Sequence, residues 1–209
     1  MQIIIFGATG IVGQHLVKQA LHKGYKVKAF GRNVFTEGLP EDDRLELVQG
    51  ALFDGAQVYK AIQGCDAVLA VLGGDGTGTN LTRSLGMKNI IAQMQKAHVK
   101  QIVAVGGIGV LNADEETLLM DTTEFPADLL PVSKEHYKAY QYLKASDLDW
   151  TFICPPDIAD AAVTGDFITA ADFPPSPDSN RINAGDLALF MLNELEKKKF
   201  VHHRVGISN

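Results

Sequence analysis

A glycine-rich turn between a strand and a helix is the feature that most constrains the fold of this chain. The apolar run Gln2–Phe6 predicts a strand, and the sequence Gly-Ala-Thr-Gly-Ile-Val-Gly follows at residues 7–13. An amphipathic pattern then predicts a helix over Ile11–His22, which ends before Gly24. A strand, a glycine turn and a helix in this order are typical of the first unit of a dinucleotide-binding fold.

Short apolar runs and helical stretches continue to alternate along the chain. Further strands are predicted at 25–30, 45–48, 66–72, 101–105 and 150–154, and further helices at 56–62, 80–97, 133–145 and 184–197. Because these strands are apolar throughout, we expect them to be covered on both faces. The prediction is a Rossmann-like α/β fold in which a doubly wound parallel sheet is flanked by helices.

We expect residues 1–209 to form a single domain, since a chain of this length can bury one substantial core. Two long connections, at about 111–131 and 157–180, do not fit the alternation of strands and helices. In open α/β sheets, long connections after strand ends commonly build the substrate pocket. We therefore expect both of them to form substrate-pocket loops.

The charge and the cysteines exclude several classes of partner and compartment. A formal net charge of −6 gives a field that repels phosphate backbones and anionic lipid, so we expect neither nucleic acid nor a membrane as partner. Cys65 and Cys154 form no CxxC pair, and the first strand follows Met1 without a leader pattern. We expect a cytoplasmic monomer or small homo-oligomer with a small-molecule substrate and, since no zinc-like spacing is present, no metal.

The three glycines of the turn have distinct physical roles. Gly7 accepts unusual dihedral angles, Gly10 lets backbone amides approach a pyrophosphate, and Gly13 allows the helix to pack tightly on the strand. The alternative is that the turn is only a tight connection. We expect it to bind a dinucleotide through Gly7, Thr9, Gly10, Ile11, Val12 and Gly13.

The end of the second predicted strand indicates which dinucleotide is bound. NAD-selective proteins place a carboxylate about twenty residues after the glycine motif, where it binds the ribose 2′-hydroxyl. This chain has Arg32 and Asn33 there instead. A guanidinium suits a 2′-phosphate, and the amide of Asn33 supplies a further donor. We therefore expect NADP(H) as the cofactor, with a loop arginine of no special role as the alternative.

The glycine turn followed by Arg32 and Asn33 resembles the atypical short-chain dehydrogenase/reductase superfamily, and specifically its NAD(P)H-binding, NmrA-like group. The resemblance covers nearly the whole chain. It is strongest to the NADPH-dependent flavin reductase/biliverdin IXβ reductase type, through Cys-Pro-Pro-Asp-Ile-Ala-Asp at residues 154–160 and Val-Thr-Gly at residues 163–165.

This resemblance implies positions for the cofactor and for a catalytic group. His136 falls where the flavin reductases carry a histidine, and Lys138 is in register for a lysine that faces the cofactor. The remaining implied cofactor contacts are Asp54 near the adenine, Leu72, Gly73 and Gly74 beneath the adjacent ribose, and Pro155, Pro156 and Ile158 beside the nicotinamide.

The chain departs from the superfamily pattern at three points. The fifth strand ends in Val-Gly-Gly-Ile-Gly, so Gly107 stands where a serine or threonine is frequent. Asp157 replaces the second histidine of the flavin reductases. Tyr140 and Lys144 have the spacing of the short-chain dehydrogenase proton donor and its lysine, but they lie at the helix end, and we interpret the spacing as coincidence.

These residues favour an NADPH-dependent reductase that transfers hydride to flavin, quinone or a similarly flat conjugated acceptor. His136 is the candidate proton donor or orienting group, because a histidine titrates near physiological pH. The alternative is a non-catalytic regulator resembling NmrA, which binds NADP(H) to sense redox state. A nucleotide-sugar epimerase or dehydratase fits less well, because those enzymes use the tyrosine as base and usually have a larger substrate domain.

Overall fold

The computed structural model describes residues 1–35, 38–74, 81–177 and 179–209. Its strands are β1 Gln2–Phe6, β2 Lys26–Gly31, β3 Leu45–Gln49, β4 Ala67–Ala70, β5 Gln101–Val105, β6 Asp149–Cys154, β7 Asp157–Ala159, β8 Ile168–Ala171, β9 Arg181–Asn183 and β10 His203–Ser208. Its helices are α1 Ile11–His22, α2 Gly55–Ile62, α3 Thr82–Ala97, α4 Leu130–Lys144 and α5 Ala184–Lys197.

One eight-stranded sheet organises the molecule, in the order β3-β2-β1-β4-β5-β6-β10-β8. The strands from β3 to β10 in this order are parallel, and β8 pairs antiparallel with β10. Strands β7 and β9 form a separate small parallel pair. The strand order reverses between β1 and β4, which is the position where α/β sheets of this topology bind ligands at the carboxyl ends of their strands.

Two apolar layers cover the two faces of the sheet. One contains the buried faces of α1 and α5, and the other those of α2, α3 and α4. Central strand residues such as Ile3, Ile4 and Ile5 are fully buried and alternate between the layers. The predicted Rossmann-like α/β fold, with helices on both faces of a mostly parallel sheet, is confirmed.

The predicted elements match the structure closely, with differences at a few boundaries. Helix α4 begins at Leu130 rather than at residue 133, because Pro131 occupies the first turn, where a missing N–H costs nothing. The predicted strand 66–72 is shorter, at Ala67–Ala70. The helix predicted over 80–97 is α3, and residues 75–80 lie outside the described part of the chain.

Candidate cofactor and substrate site

The turn after β1 has a backbone path that only glycine accommodates at two positions. Gly7 has a φ of +86°, and a β-carbon placed on it would lie 2.3 Å from the carbonyl oxygen of Val71. A β-carbon on Gly13 would lie 2.1 Å from the carbonyl oxygen of Gly7. The turn therefore folds against β4 on one side and against α1 on the other, as a close-fitting cradle.

The start of α1 presents backbone N–H groups at this turn. Gly10 is the N-cap and has extended dihedral angles, and among the described residues no side chain caps the helix. Thr9, Gly10 and Ile11 are exposed, whereas the side chain of Val12 is buried in the core. Since a helix N-terminus carries a partial positive charge, these residues fit the pyrophosphate of a dinucleotide.

Arg32 and Asn33 lie at the same edge of the sheet as the glycine turn. Phe6 pairs in register with Phe30, so the residues that follow β1 and β2 are neighbours. Both Arg32 and Asn33 are exposed, and the backbone carbonyl of Arg32 accepts a hydrogen bond of 3.0 Å from the Gln49 side chain. The arrangement places a guanidinium beside the region that the resemblance assigns to the adenosine ribose.

The other predicted contacts for the adenosine half have mixed surroundings. The carboxylate of Asp54 caps α2 by accepting hydrogen bonds from the backbone N–H groups of Ala56 and Gln57, at 2.9 and 3.0 Å. Leu72 is buried, while Gly73 and Gly74 are exposed after β4. The role of all four as cofactor contacts stays a prediction.

A cavity of about 580 Å³ opens beyond the carboxyl ends of β5 and β6. It brings together His136 from α4 and the predicted contacts Pro155, Pro156 and Ile158. Both long connections contribute, and most of the wall is apolar. Its other lining residues are Gly106, Gly107, Ile108, Leu119, Thr122, Glu124, Phe125, Pro126, Leu129, Val132, Ser133, Asp157 and Asn180.

His136 lies against the glycine segment that follows β5. A β-carbon on Gly107 would lie 2.9 Å from Cδ2 of the imidazole, so the ring occupies the space where the superfamily's hydroxyl side chain would begin. Burial and the nearby charge of Arg83 lower the pKa of His136 from 6.5 to about 3. The imidazole is therefore neutral at physiological pH and can donate a hydrogen bond but cannot serve as an imidazolium acid.

Lys138 does not belong to the described lining of this cavity. Its ammonium pairs with Glu135 at 2.9 Å, and Ser84 of α3 donates a hydrogen bond to the other oxygen of the same carboxylate. Burial alone would raise the pKa of Glu135, but these two partners lower it below its ordinary value. That Lys138 contacts the cofactor stays a prediction, since its ammonium is paired with Glu135 on the same helix, and Ser84 joins that carboxylate to α3.

Tyr140 faces the core instead of the cavity. Its ring packs against Trp150 and Phe152, with centroid distances of 5.7 and 6.0 Å, and the guanidinium of Arg204 lies 5.0 Å from its centre. Lys144 lies over the same ring at 6.0 Å. These contacts fit the interpretation that the Tyr140 and Lys144 spacing is coincidental.

The structure adds two polar residues that the sequence reasoning missed. Ser133 is buried and lines the cavity one helical turn before His136. The i, i+3 spacing on α4 could have indicated that the two side chains share a face. Arg83 of α3 packs on Gly74, where a β-carbon would lie 2.4 Å from its Nη1. No local pattern in the sequence indicated that Arg83 would lie near His136.

The described ranges contain neither a metal-binding cluster nor a membrane-spanning helix. No cluster of three or more His, Cys, Asp or Glu side chains there is arranged to hold a metal ion. None of the helices described there combines the length and the apolar character needed to cross a bilayer.

Known proteins share both the sequence pattern and the fold. A family model described as NAD(P)H-binding matches residues 7–198, which include the glycine turn, the cavity and α5. The chain belongs to this NAD(P)H-binding family. The match agrees with the resemblance to the NmrA-like group of atypical short-chain dehydrogenases/reductases, and it supports a nicotinamide cofactor for this fold.

Three solved structures cover essentially the whole chain. A candidate exported protein from Burkholderia pseudomallei is 30% identical, with 100% of each chain covered and a TM-score of 0.87. A candidate epimerase from Bacteroides thetaiotaomicron is 28% identical, with 99% of this chain and 96% of the other covered and a TM-score of 0.85. A candidate NADH-flavin reductase from Streptococcus pneumoniae is 24% identical, with 100% and 99% covered and a TM-score of 0.87, and at that identity the likeness shows the fold alone.

Proposed function

We propose that this protein is an NADPH-dependent reductase that passes hydride to a flat conjugated acceptor such as a flavin or quinone. The observation that carries the proposal is the cavity beyond β5 and β6, which combines a mostly apolar wall with the imidazole of His136. Its volume of about 580 Å³ lies in the range of small-molecule sites. The apolar wall suits the faces of a conjugated ring system.

The choice of NADPH over NADH rests on the end of β2. Arg32 is exposed there, beside the glycine turn, and no carboxylate takes the position that binds a free ribose 2′-hydroxyl. The guanidinium is suited to a 2′-phosphate through paired N–H donors. The glycine turn and the uncapped start of α1 hold the pyrophosphate.

Within the cavity, the protein's part is to bind and orient the acceptor. When bound, the dihydronicotinamide supplies the hydride. Pro155 and Pro156 form the wall beside it, and the neutral imidazole of His136 donates a hydrogen bond to a carbonyl or ring nitrogen of the acceptor. The acceptor takes its proton from water, because a histidine with a pKa near 3 carries no spare proton at neutral pH.

A second candidate function is a redox-sensing regulator that binds NADP(H) without turnover. The observation in its favour is the absence of a hydroxyl at Gly107 together with the position of Tyr140 in the core, outside the described cavity lining. The same position of Tyr140 disfavours an epimerase. That chemistry needs a tyrosine as base beside the substrate, and Tyr140, which has the sequence spacing of such a base, packs in the core. The sensor differs from the reductase in a measurable way, because it would bind NADPH and reduce nothing.

The cytoplasmic location belongs to this proposal as well. Cys65 and Cys154 are both free thiols and both buried, as expected in a reducing compartment. Fractionation of cells that express the protein, followed by immunodetection, tests the location. Recovery outside the cytoplasm would contradict it.

The test of function mixes purified protein with NADPH or NADH and follows nicotinamide absorbance with riboflavin and menadione as acceptors. We expect saturable turnover with NADPH, and an increase of about tenfold or more in the KM for NADPH in Arg32→Ala, with little change for NADH. Lys18→Ala, an exposed charge removal on α1, is the matched control and should change neither. Tight NADPH binding without turnover on any acceptor would favour the sensor.

A further inference from the structure

The charges around the cavity differ from those of a site built for a phosphorylated acceptor. Its described lining includes two carboxylates, Glu124 and Asp157, and no lysine or arginine. Each carboxylate comes from a different long connection, and both residues are exposed, so they lie where the cavity meets solvent. A hydrogen bond from Thr123 lowers the pKa of Glu124, which keeps that side chain anionic at neutral pH.

The positive groups nearby lie outside the described lining. His136 is neutral, and the guanidinium of Arg83, whose charge acts on His136 from α3, packs on Gly74. Arg181 pairs in register with Asp157 across β7 and β9, so it is a cation beside the rim but is not part of the described lining. The first turn of α4 also borders the cavity, and its dipole contributes about half a positive charge, next to the exposed Asp128.

We propose that this cavity selects uncharged acceptors and discriminates against acceptors that carry a phosphate or carboxylate. The inference rests on the proposed reductase function and names its substrate class. A ring bound against His136 directs its substituents toward the opening, past Glu124 and Asp157. An anionic substituent there is repelled at close range, whereas a hydroxyl is not.

Riboflavin and FMN form a suitable pair for the test, because they share one isoalloxazine ring and differ in a terminal phosphate. With saturating NADPH, we expect kcat/KM for riboflavin to exceed that for FMN by about fivefold at low ionic strength, and the ratio to approach one near 0.5 M salt, where charges are screened. The doubly substituted variant Glu124→Gln with Asp157→Asn should lose most of the preference at low salt.

Arg181→Gln is the matched control, and its effect has the opposite sign. Like the carboxylate substitutions, it removes a charge at the rim of the cavity. Because the charge removed is positive, the preference for riboflavin over FMN should increase. Equal rates with both flavins at low salt would overturn the inference. So would a preference that neither salt nor the carboxylate substitutions change, since that preference would be steric.

Failure of the inference is distinguishable from failure of the proposed function. If neither a flavin nor menadione is reduced, the reductase proposal fails. Quenching of flavin fluorescence by the protein with NADP⁺ bound still compares riboflavin with FMN in that case. Tighter binding of riboflavin that weakens to parity with salt would support the charge selection. Equal affinity for riboflavin and FMN, or no binding of either, would overturn it.

Discussion

The glycine turn and the cavity are two parts of one site that are built in opposite ways. The turn consists of consecutive residues, 7–13, and it acts through its backbone. The cavity draws on distant segments, including 106–108, 119–126 and 155–158, and it acts through side chains. The backbone of the turn has no room for an added carbon at Gly7 or Gly13, whereas a site made of side chains can adjust by moving them.

The largest expected difference between the two regions comes from adding a methyl group to the turn. In Gly13→Ala the new β-carbon would meet the Gly7 carbonyl oxygen at 2.1 Å, and both atoms belong to the backbone framework. We expect a loss of stability of about 2 kcal/mol or more and cofactor binding weakened by more than about tenfold. Urea unfolding and NADPH titration measure the two effects.

Gly10→Ala separates folding from binding at the same turn. Its β-carbon would lie 3.4 Å from the Gly7 carbonyl oxygen, an ordinary contact, so the free energy of unfolding should change by no more than about 0.5 kcal/mol. NADPH binding should still weaken, because the methyl group stands where the pyrophosphate approaches. Unchanged NADPH affinity in Gly10→Ala would contradict the assignment of this turn to the cofactor.

A substitution in the cavity should have a smaller effect and spare the cofactor. In Gly107→Ser the β-carbon would lie 2.9 Å from Cδ2 of His136, and the imidazole must turn away. We expect kcat for acceptor reduction to fall about tenfold while the affinity for NADPH stays within about twofold. Ala113→Ser, on the exposed part of the same connection, is the control, and increased activity in Gly107→Ser would show that the missing hydroxyl limits catalysis.

The last expected effect concerns pH and leaves the cofactor site unchanged. Because the folded state lowers the pKa of His136 from 6.5 to about 3, the unfolded chain binds an extra proton between these values. The full free energy of unfolding is therefore available above pH 6.5. Protonation of His136 in the unfolded chain lowers it by about 1 to 2 kcal/mol between pH 7 and pH 5. Urea unfolding should show a smaller decrease in His136→Gln, and kcat should show no step near pH 6.5 in the unsubstituted protein.

The elements that the sequence predicted are those with strong local patterns. The bounds of α1 and α5 agree with the prediction, because each combines an apolar stripe with a clear end. Strands β7 and β9 have three residues each, too few for any periodicity to register. The antiparallel strand β8 was also missed, because its pairing with β10 depends on a tertiary contact.

In the candidate site too, features with a local sequence pattern were predictable and features that depend on tertiary contacts were not. The steric need for Gly7 and Gly13 follows from their spacing after a strand, and the structure gives the distances that enforce it. The position of His136 came from a resemblance, but its neutral state depends on burial and on Arg83, which lies on another helix. The ion pair of Lys138 with Glu135 is a local i, i+3 pair within α4, whereas the hydrogen bond from Ser84 to Glu135 depends on the packing of α3 against α4.

Arg204 ties the connection after β5, which also supplies part of the cavity wall, to the last strand of the chain. It lies on β10, is buried, and donates hydrogen bonds to the Val110 carbonyl oxygen at 2.6 Å and to the Asn112 side chain at 2.9 Å. During synthesis the glycine turn emerges from the ribosome long before this arginine does. The residues of the nucleotide cradle are therefore available early, but the connection after β5 gains these hydrogen bonds only when β10 has joined the sheet.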